Sequence, residues 1–329
     1  VTANPSATST YTVTGTTNGC TGTQNVTVNV SPSPIVSITP GSATICAGDN
    51  TLLTASGATT YSWSPSTGLS ATTGSTVTAD PSNTTTYTVT GTQSGCSGSQ
   101  NVTVNVTPLP AITVSPASPS ICNGSSTTLT ASGASSYNWS PSIGLSGTSG
   151  SSVDANPTST TTYTITGTQN GCNGIQDVTV TVNSIPVINI NPSSATICEG
   201  SGTTLTASGG TTYTWSPSSG LSDTVSASVT ANPASTTTYV VSGTANGCTG
   251  TQSVTVNVIP LPVVVITPPA PTICLGNSIM LVASGASNYS WSPSGGLSSS
   301  TNDTVTASPL LTTTYTVTGT SGLGCIGTK

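Results

Sequence analysis

Between Thr84 and Val106 the chain reads Thr84-Thr85-Thr86-Tyr87-Thr88-Val89-Thr90-Gly91-Thr92-Gln93-Ser94-Gly95-Cys96-Ser97-Gly98-Ser99-Gln100-Asn101-Val102-Thr103-Val104-Asn105-Val106. Tyr87 and Val89 alternate with Thr86, Thr88 and Thr90, and Val102, Val104 and Val106 alternate with Thr103 and Asn105. Alternation of period two marks half-buried strands, and β-branched Thr and Val suit a pleated surface. Ser94-Gly95 between the runs is a turn signal. The same grammar extends outward: Tyr61 and Trp63 share a face, as do Val77 and Ala79, with turn residues at Cys46-Ala47-Gly48-Asp49, Ser64-Pro65-Ser66-Thr67-Gly68 and Asp80-Pro81-Ser82-Asn83. Helix propensity is sustained nowhere, so the chain reads as all-β.

The pattern repeats every 76 residues. Tyr11, Tyr87, Tyr163, Tyr239 and Tyr315 keep that step, as do Trp63, Trp139, Trp215 and Trp291, and Cys46, Cys122, Cys198 and Cys274. A second series, Cys20, Cys96, Cys172 and Cys248, keeps it too; its last member, Cys325, falls one residue late because Ser321-Gly322-Leu323-Gly324 is one residue longer than its counterparts. This period exceeds a solenoid rung of about 20–45 residues and suits a small domain. Proline-marked junctions such as Pro108-Leu109-Pro110 and Pro260-Leu261-Pro262 divide the chain. The divisions are 1–33 (the C-terminal part of a preceding repeat), 34–109, 110–185, 186–261, and 262–329 (a repeat lacking its last strand). Seven or so short strands in 76 residues predict a two-sheet sandwich, and the whole a tandem array cut from something longer.

Composition removes most chemistry. The 329 residues include one Lys, no Arg, no His and seven Asp or Glu, with a formal net charge of −6. Nucleic acid requires a basic stripe to neutralise phosphate, which Lys329 alone does not supply. Without His there is no Ser-His-Asp or Cys-His arrangement, and scattered carboxylates do not build a cation cage. The expectation is a non-enzyme with no cofactor, no metal site and no nucleic-acid partner. No apolar run approaches the roughly 18 residues of a membrane helix, so membrane insertion of this segment is not expected, and the N-terminal residues do not read as a signal peptide.

Each full repeat carries Ile45-Cys46-Ala47-Gly48, Leu53-Thr54-Ala55-Ser56-Gly57, Tyr61-Ser62-Trp63-Ser64-Pro65, Gly68-Leu69-Ser70, Gly95-Cys96 and Val102 to Val106, or their counterparts. This skeleton resembles the immunoglobulin-like and PKD-like repeats of giant surface proteins of Bacteroidetes, including gliding adhesins and cargo of the type IX secretion system. The resemblance covers the whole chain, and it implies a tandem array of small immunoglobulin-like sandwiches. Such repeats serve as stalks, adhesins and enzyme spacers alike. In the immunoglobulin pattern Ala55 and Val89 stand where the core cysteines would be, Trp63 is the strand C tryptophan, and Tyr87 is similar to the tyrosine corner.

If the topology follows that resemblance, Cys46 and Cys96 lie at opposite ends of one domain. The resemblance then implies bridges across successive junctions: Cys46–Cys172, Cys122–Cys248 and Cys198–Cys325. Cys20 and Cys96 would have partners upstream of the segment and Cys274 one downstream. The alternative, a bridge inside each repeat such as Cys46–Cys96, stays open at this stage. Either pattern, with no His or carboxylate cluster, points to an oxidising, extracellular or cell-surface location.

Trp63, Trp139, Trp215 and Trp291, with Tyr87, Tyr163, Tyr239 and Tyr315, read as core residues; the competing reading of the Trp series is a set of sugar-stacking platforms. Thr-rich faces could serve ice binding, but a twisted sandwich offers no extended flat lattice. Asp223-Thr224-Val225 and Asp303-Thr304-Val305 match the Asp-Ser/Thr-apolar acceptor that the family resemblance implies for O-glycans, at Thr224 and Thr304. The expected role is a non-catalytic structural segment of an extracellular filament, stalk or adhesin, stiffened by disulfides. Its partners would be neighbouring repeats of the same longer chain, or identical chains in a filament. The competing roles are a multivalent glycan- or protein-binding adhesin and a spacer array of a secreted polysaccharide-degrading enzyme.

Overall fold

A computed structural model describes residues 1–329, and every regular element in it is a strand. The chain forms two compact units, Val1–Pro119 with Ser126–Thr181, and Ser120–Ser125 with Val182–Lys329.

The first unit opens on a hairpin of β1 (Ser9–Thr17) and β2 (Cys20–Val28), paired antiparallel and mostly exposed. Seven strands follow in residues 34–109: β3 (Ser37–Thr39), β4 (Ser42–Cys46), β5 (Thr51–Ser56), β6 (Thr60–Ser64), β7 (Thr76–Ala79), β8 (Thr85–Gln93) and β9 (Cys96–Thr107). They form two sheets, β3-β5-β7 and β4-β9-β8-β6. All pairings are antiparallel except β4 with β9, which run parallel with Cys46 beside Thr107.

The two faces sort as the alternation dictates. Leu53, Ala55, Trp63, Val77, Ala79, Tyr87, Val89, Val102 and Val104 meet in one buried cluster between the sheets. Outward Thr side chains pair across strands: the Thr86 and Thr103 hydroxyls lie 2.9 Å apart, and the Thr88 hydroxyl donates to Asn101 Oδ1 at 2.8 Å. Such cross-strand pairs add modestly to sheet stability without charge.

Gly98 is required by close approach rather than by turn geometry. A Cβ there would strike the carbonyl oxygen of Pro34, so the entering linker lies directly on the β8–β9 hairpin; Gly174 stands in the same relation to Pro110. In the first unit, strands Thr127–Ser132, Ser136–Ser140, Ser152–Ala155 and Thr161–Gln169 restate β5 to β8.

The second unit repeats the scheme. In residues 186–261, strands Asn189–Asn191, Thr203–Ser208 and Ser228–Ala231 form one sheet. Ala195–Cys198, Cys248–Ile259, Thr237–Ala245 and Thr212–Ser216 form the other, again with its first pair parallel. A buried cluster including Trp215, Tyr239, Val241, Val254 and Val256 fills the space between. Residues 262–329 hold two three-stranded sheets around Trp291, Leu281, Val305 and Val317.

Candidate functional site

The chemistry-bearing side chains of this chain are its cysteines, and their positions follow from the strands. In residues 34–109, β4 ends at Cys46 next to the last residue of β9, whereas Cys96 is the first residue of that same twelve-residue strand. At about 3.3 Å per residue the two lie on the order of 35 Å apart, far beyond the roughly 7 Å that a bridge spans.

Cys172 is placed by a tight turn. Asn170 (φ 51°) and Gly171 (φ 80°) occupy left-handed conformations, which a two-residue hairpin of the right twist requires, and Cys172 then starts the return strand. Its sulphur bonds to that of Cys46, with Cα atoms 5.6 Å apart. In the second unit Cys122 bonds Cys248 (Cα–Cα 5.6 Å) and Cys198 bonds Cys325 (Cα–Cα 5.5 Å). The longer loop before Cys325 closes on itself, Ser321 N–H donating to the Cys325 carbonyl and Gly324 N–H to that of Ser321. The extra residue is absorbed before Cys325, and the bond forms nonetheless.

Polar contacts supplement the bridge in the second unit. Asn183 Nδ2 donates to Ser120 Oγ at 2.8 Å and to the Asn246 carbonyl at 3.1 Å, beside the Cys122–Cys248 bond. Sequence reading missed this residue; its counterparts one repeat away are Thr107 and Ile259, so no periodic signal marks it. The hairpin-side cysteines Cys172, Cys248 and Cys325 are buried, whereas Cys20 and Cys274 are exposed and Cys96 is partly exposed, and these last three are free.

The aromatic series lies inside. Trp63, Trp139, Trp215 and Trp291 are each at most 3% exposed, which leaves no ring face for a sugar. Each indole N–H donates to a carbonyl eleven residues on, Trp63 to Gly74 and Trp139 to Gly150 at 2.9 Å. Tyr87, Tyr163 and Tyr239 are fully buried, and burial pushes each phenol above its ordinary pKa, with the Thr85 hydroxyl opposing this at Tyr87 and the Thr161 hydroxyl at Tyr163. Tyr315 is only partly buried. The Tyr87 hydroxyl donates to the Thr67 carbonyl, 20 residues upstream, at 2.7 Å. That differs from a tyrosine corner, whose hydroxyl reaches only a few residues back. The short local latch belongs instead to Tyr61, which accepts from Ala58 N–H and donates to the Ala58 carbonyl.

Sheet order, the parallel pairing of β4 with β9, and a Trp packed between the sheets decide the fold. Each complete repeat is an immunoglobulin-like sandwich. No protein-family model and no curated protein matches the chain. Among solved structures, an I-band fragment of titin aligns with 70% of this chain and 100% of its own at 12% identity and a TM-score of 0.39. The eight N-terminal Ig domains of the Down syndrome cell adhesion molecule align with 98% of this chain and 58% of their own at 14% identity and a TM-score of 0.29. A fragment of the ICAM-5 ectodomain aligns with 91% of this chain and 98% of its own at 11% identity and a TM-score of 0.33.

The two Asp-Thr-Val tripeptides occupy different settings in these immunoglobulin-like repeats. Val225 is 66% exposed and Thr224 partly buried, in a loop where Asp223 accepts from the Thr224 and Val225 N–H groups and from the Ser226 hydroxyl. Those bonds, the Ser226 hydroxyl first, hold the Asp223 carboxyl below the usual range. Val305, by contrast, is 1% exposed, packed in the core behind Thr304. No three Cys, Asp or Glu side chains cluster as a metal ion would need.

Proposed function

We propose that this segment is a non-catalytic, load-bearing part of an extracellular filament, stalk or surface adhesin, related to the Bacteroidetes surface repeats it resembles. The observation that carries this is the interleaving of the bridges: Cys122 lies inside the loop closed by Cys46–Cys172, and Cys198 inside that closed by Cys122–Cys248. Each bond therefore ties one 76-residue repeat to the next, where an ordinary immunoglobulin bridge would only brace its own core. A continuous covalent route runs through residues 1–46, crosses to 172–198, and crosses again to 325–329, segments of 46, 27 and 5 residues. Such bonds persist in oxidising compartments, and the uncharged hydroxyl surface stays soluble without a charged coat to be screened by salt.

Single-molecule pulling on the full chain by its ends tests this. At about 3.5 Å per residue, the oxidised chain should stop extending near roughly 270 Å even when every repeat unfolds, and the reduced chain near roughly 1,150 Å. Equal limits for the two would remove the load-bearing reading.

A further inference from the structure

The bridges lie outside the cores of the repeats they connect. The buried cluster of residues 34–109 runs from Val36 to Val104 and holds no cysteine, and that of residues 186–261 runs from Ile188 to Val256 and holds none either. Ala55 and Val89 are 3% and 0% exposed, packed where an ordinary immunoglobulin bridge would sit. Both cores are complete without sulphur.

The connectivity points to late bonding. Cys46 and Cys172 are separated by 126 residues, with Cys96 and Cys122 between them. In an unfolded chain, contact falls off with the 3/2 power of loop length, so Cys172 would meet Cys198, 26 residues away, about tenfold more often than Cys46. The native partners meet only once the Asn170-Gly171 turn has placed Cys172 and the register beside Thr107 has placed Cys46. Folding therefore comes before bridging.

In the first unit the Cys46–Cys172 bond is one of two connections between its repeats. The other is the backbone. It leaves Thr107, beside Cys46, and passes through Pro108-Leu109-Pro110, whose last carbonyl lies against Gly174, two residues past Cys172. The buried cluster of residues 34–109 takes no side chain from the repeat that follows. The bonded sulphurs also differ in access: Cys46 and Cys122 are partly exposed, whereas Cys172 is 2% and Cys248 1% exposed.

We propose that the bridges are thiol-sensitive locks, closed after folding and opened by small thiols that enter at Cys46 and Cys122 and leave the repeats folded. Opening by glutathione proceeds by exchange. One glutathione thiolate attacks the Cys46 sulphur, and Cys172 leaves as a thiolate that takes a proton. A second glutathione attacks the mixed disulfide, releasing the Cys46 thiol and glutathione disulfide. Closing is the reverse: glutathione disulfide oxidises the two thiols and departs as two molecules of glutathione. With the lock open, only the backbone joins residues 34–109 to 126–181, and the two move independently.

This goes beyond the load-bearing reading and fails separately from it, because bonds inert to thiols would still carry load. The test uses the full chain with its three free cysteines replaced (Cys20→Ser, Cys96→Ser, Cys274→Ser), so that only bridging sulphurs report. In excess reduced glutathione it should keep its strand circular dichroism, while amide relaxation by NMR shows shorter rotational correlation times for residues 34–109 and 126–181. Acid quenching early in that reaction should find glutathione on Cys46 and Cys122, with Cys172 and Cys248 as thiols. Glutathione disulfide added to the folded, reduced chain should restore Cys46–Cys172 and Cys122–Cys248. Added in denaturant, it should give Cys172–Cys198 peptides in about tenfold excess over Cys46–Cys172. Bonds that resist glutathione, loss of the strand signal on reduction, unchanged correlation times, glutathione on Cys172 in place of Cys46, or identical pairs from folded and denatured chains would each overturn the proposal.

Discussion

Cys46 lies beside Thr107 in parallel register, so a full twelve-residue strand, Cys96–Thr107, separates it from the other cysteine of its own repeat. A single non-local pairing, the edge strand β4 on β9, sends the sulphur to the far end of the sandwich, where a different repeat meets it.

Non-reducing peptide mapping of the full chain should therefore recover Cys46–Cys172, Cys122–Cys248 and Cys198–Cys325, with Cys20, Cys96 and Cys274 alkylated as free thiols. A Cys46–Cys96 peptide in the folded protein would contradict the strand register itself.

Trp139 is 1% exposed and hydrogen-bonded to the Gly150 carbonyl. Trp139→Ala should destabilise its repeat by about 3–5 kcal/mol, read as a lowered urea midpoint for that repeat alone. Trp139→Phe keeps most of the apolar contact and leaves the Gly150 carbonyl without its donor, so its cost should be smaller.

Gly174→Ala places a methyl group against the Pro110 carbonyl oxygen, a backbone atom that cannot rotate away. A loss of about 1–3 kcal/mol is expected from such overpacking, seen as a lower melting temperature. Gly147→Ala, where nothing lies within 4 Å, is the matched control and should change stability by less than about 0.5 kcal/mol.

Alkali should unfold the repeats through their buried tyrosines. Tyr87, Tyr163 and Tyr239 have phenol pKa values raised by burial, so the native state holds its protons longer than the unfolded one. Stability is then fully present below about pH 10, the ordinary phenol value, and falls as pH rises from there through the folded-state values. Phenolate absorbance from the buried set should appear only together with the loss of structure, read as circular dichroism followed in the same titration. Ionisation of Tyr87, Tyr163 and Tyr239 at the ordinary phenol value with the fold retained would contradict the burial.

Much of the fold was legible from the chain because strand alternation and turn residues are local. Tyr87, Val89, Val102 and Val104 declare their shared face at spacings of two, and Ser94-Gly95 declares the turn between them. Recurrence at 76 residues then carries one reading across the chain. The hydroxyl partner of Tyr87 was not legible, since Thr67 is brought to it by sheet packing and not by spacing. The linker contact at Gly98 and the role of Asn183 were hidden likewise, each being a meeting of segments more than 60 residues apart.

By itself, then, the sequence determined the all-β class, the repeat length, the inward-facing Trp series and the scarcity of charged side chains, because each depends on composition or on neighbours along the strand. Only the tertiary structure decided which cysteine meets which, since the bond partners stand 126 or 127 residues apart. Their meeting depends on the direction of β4 and its counterparts along the sheet edge, and pairing direction is a property of the packed sandwich that no local pattern encodes.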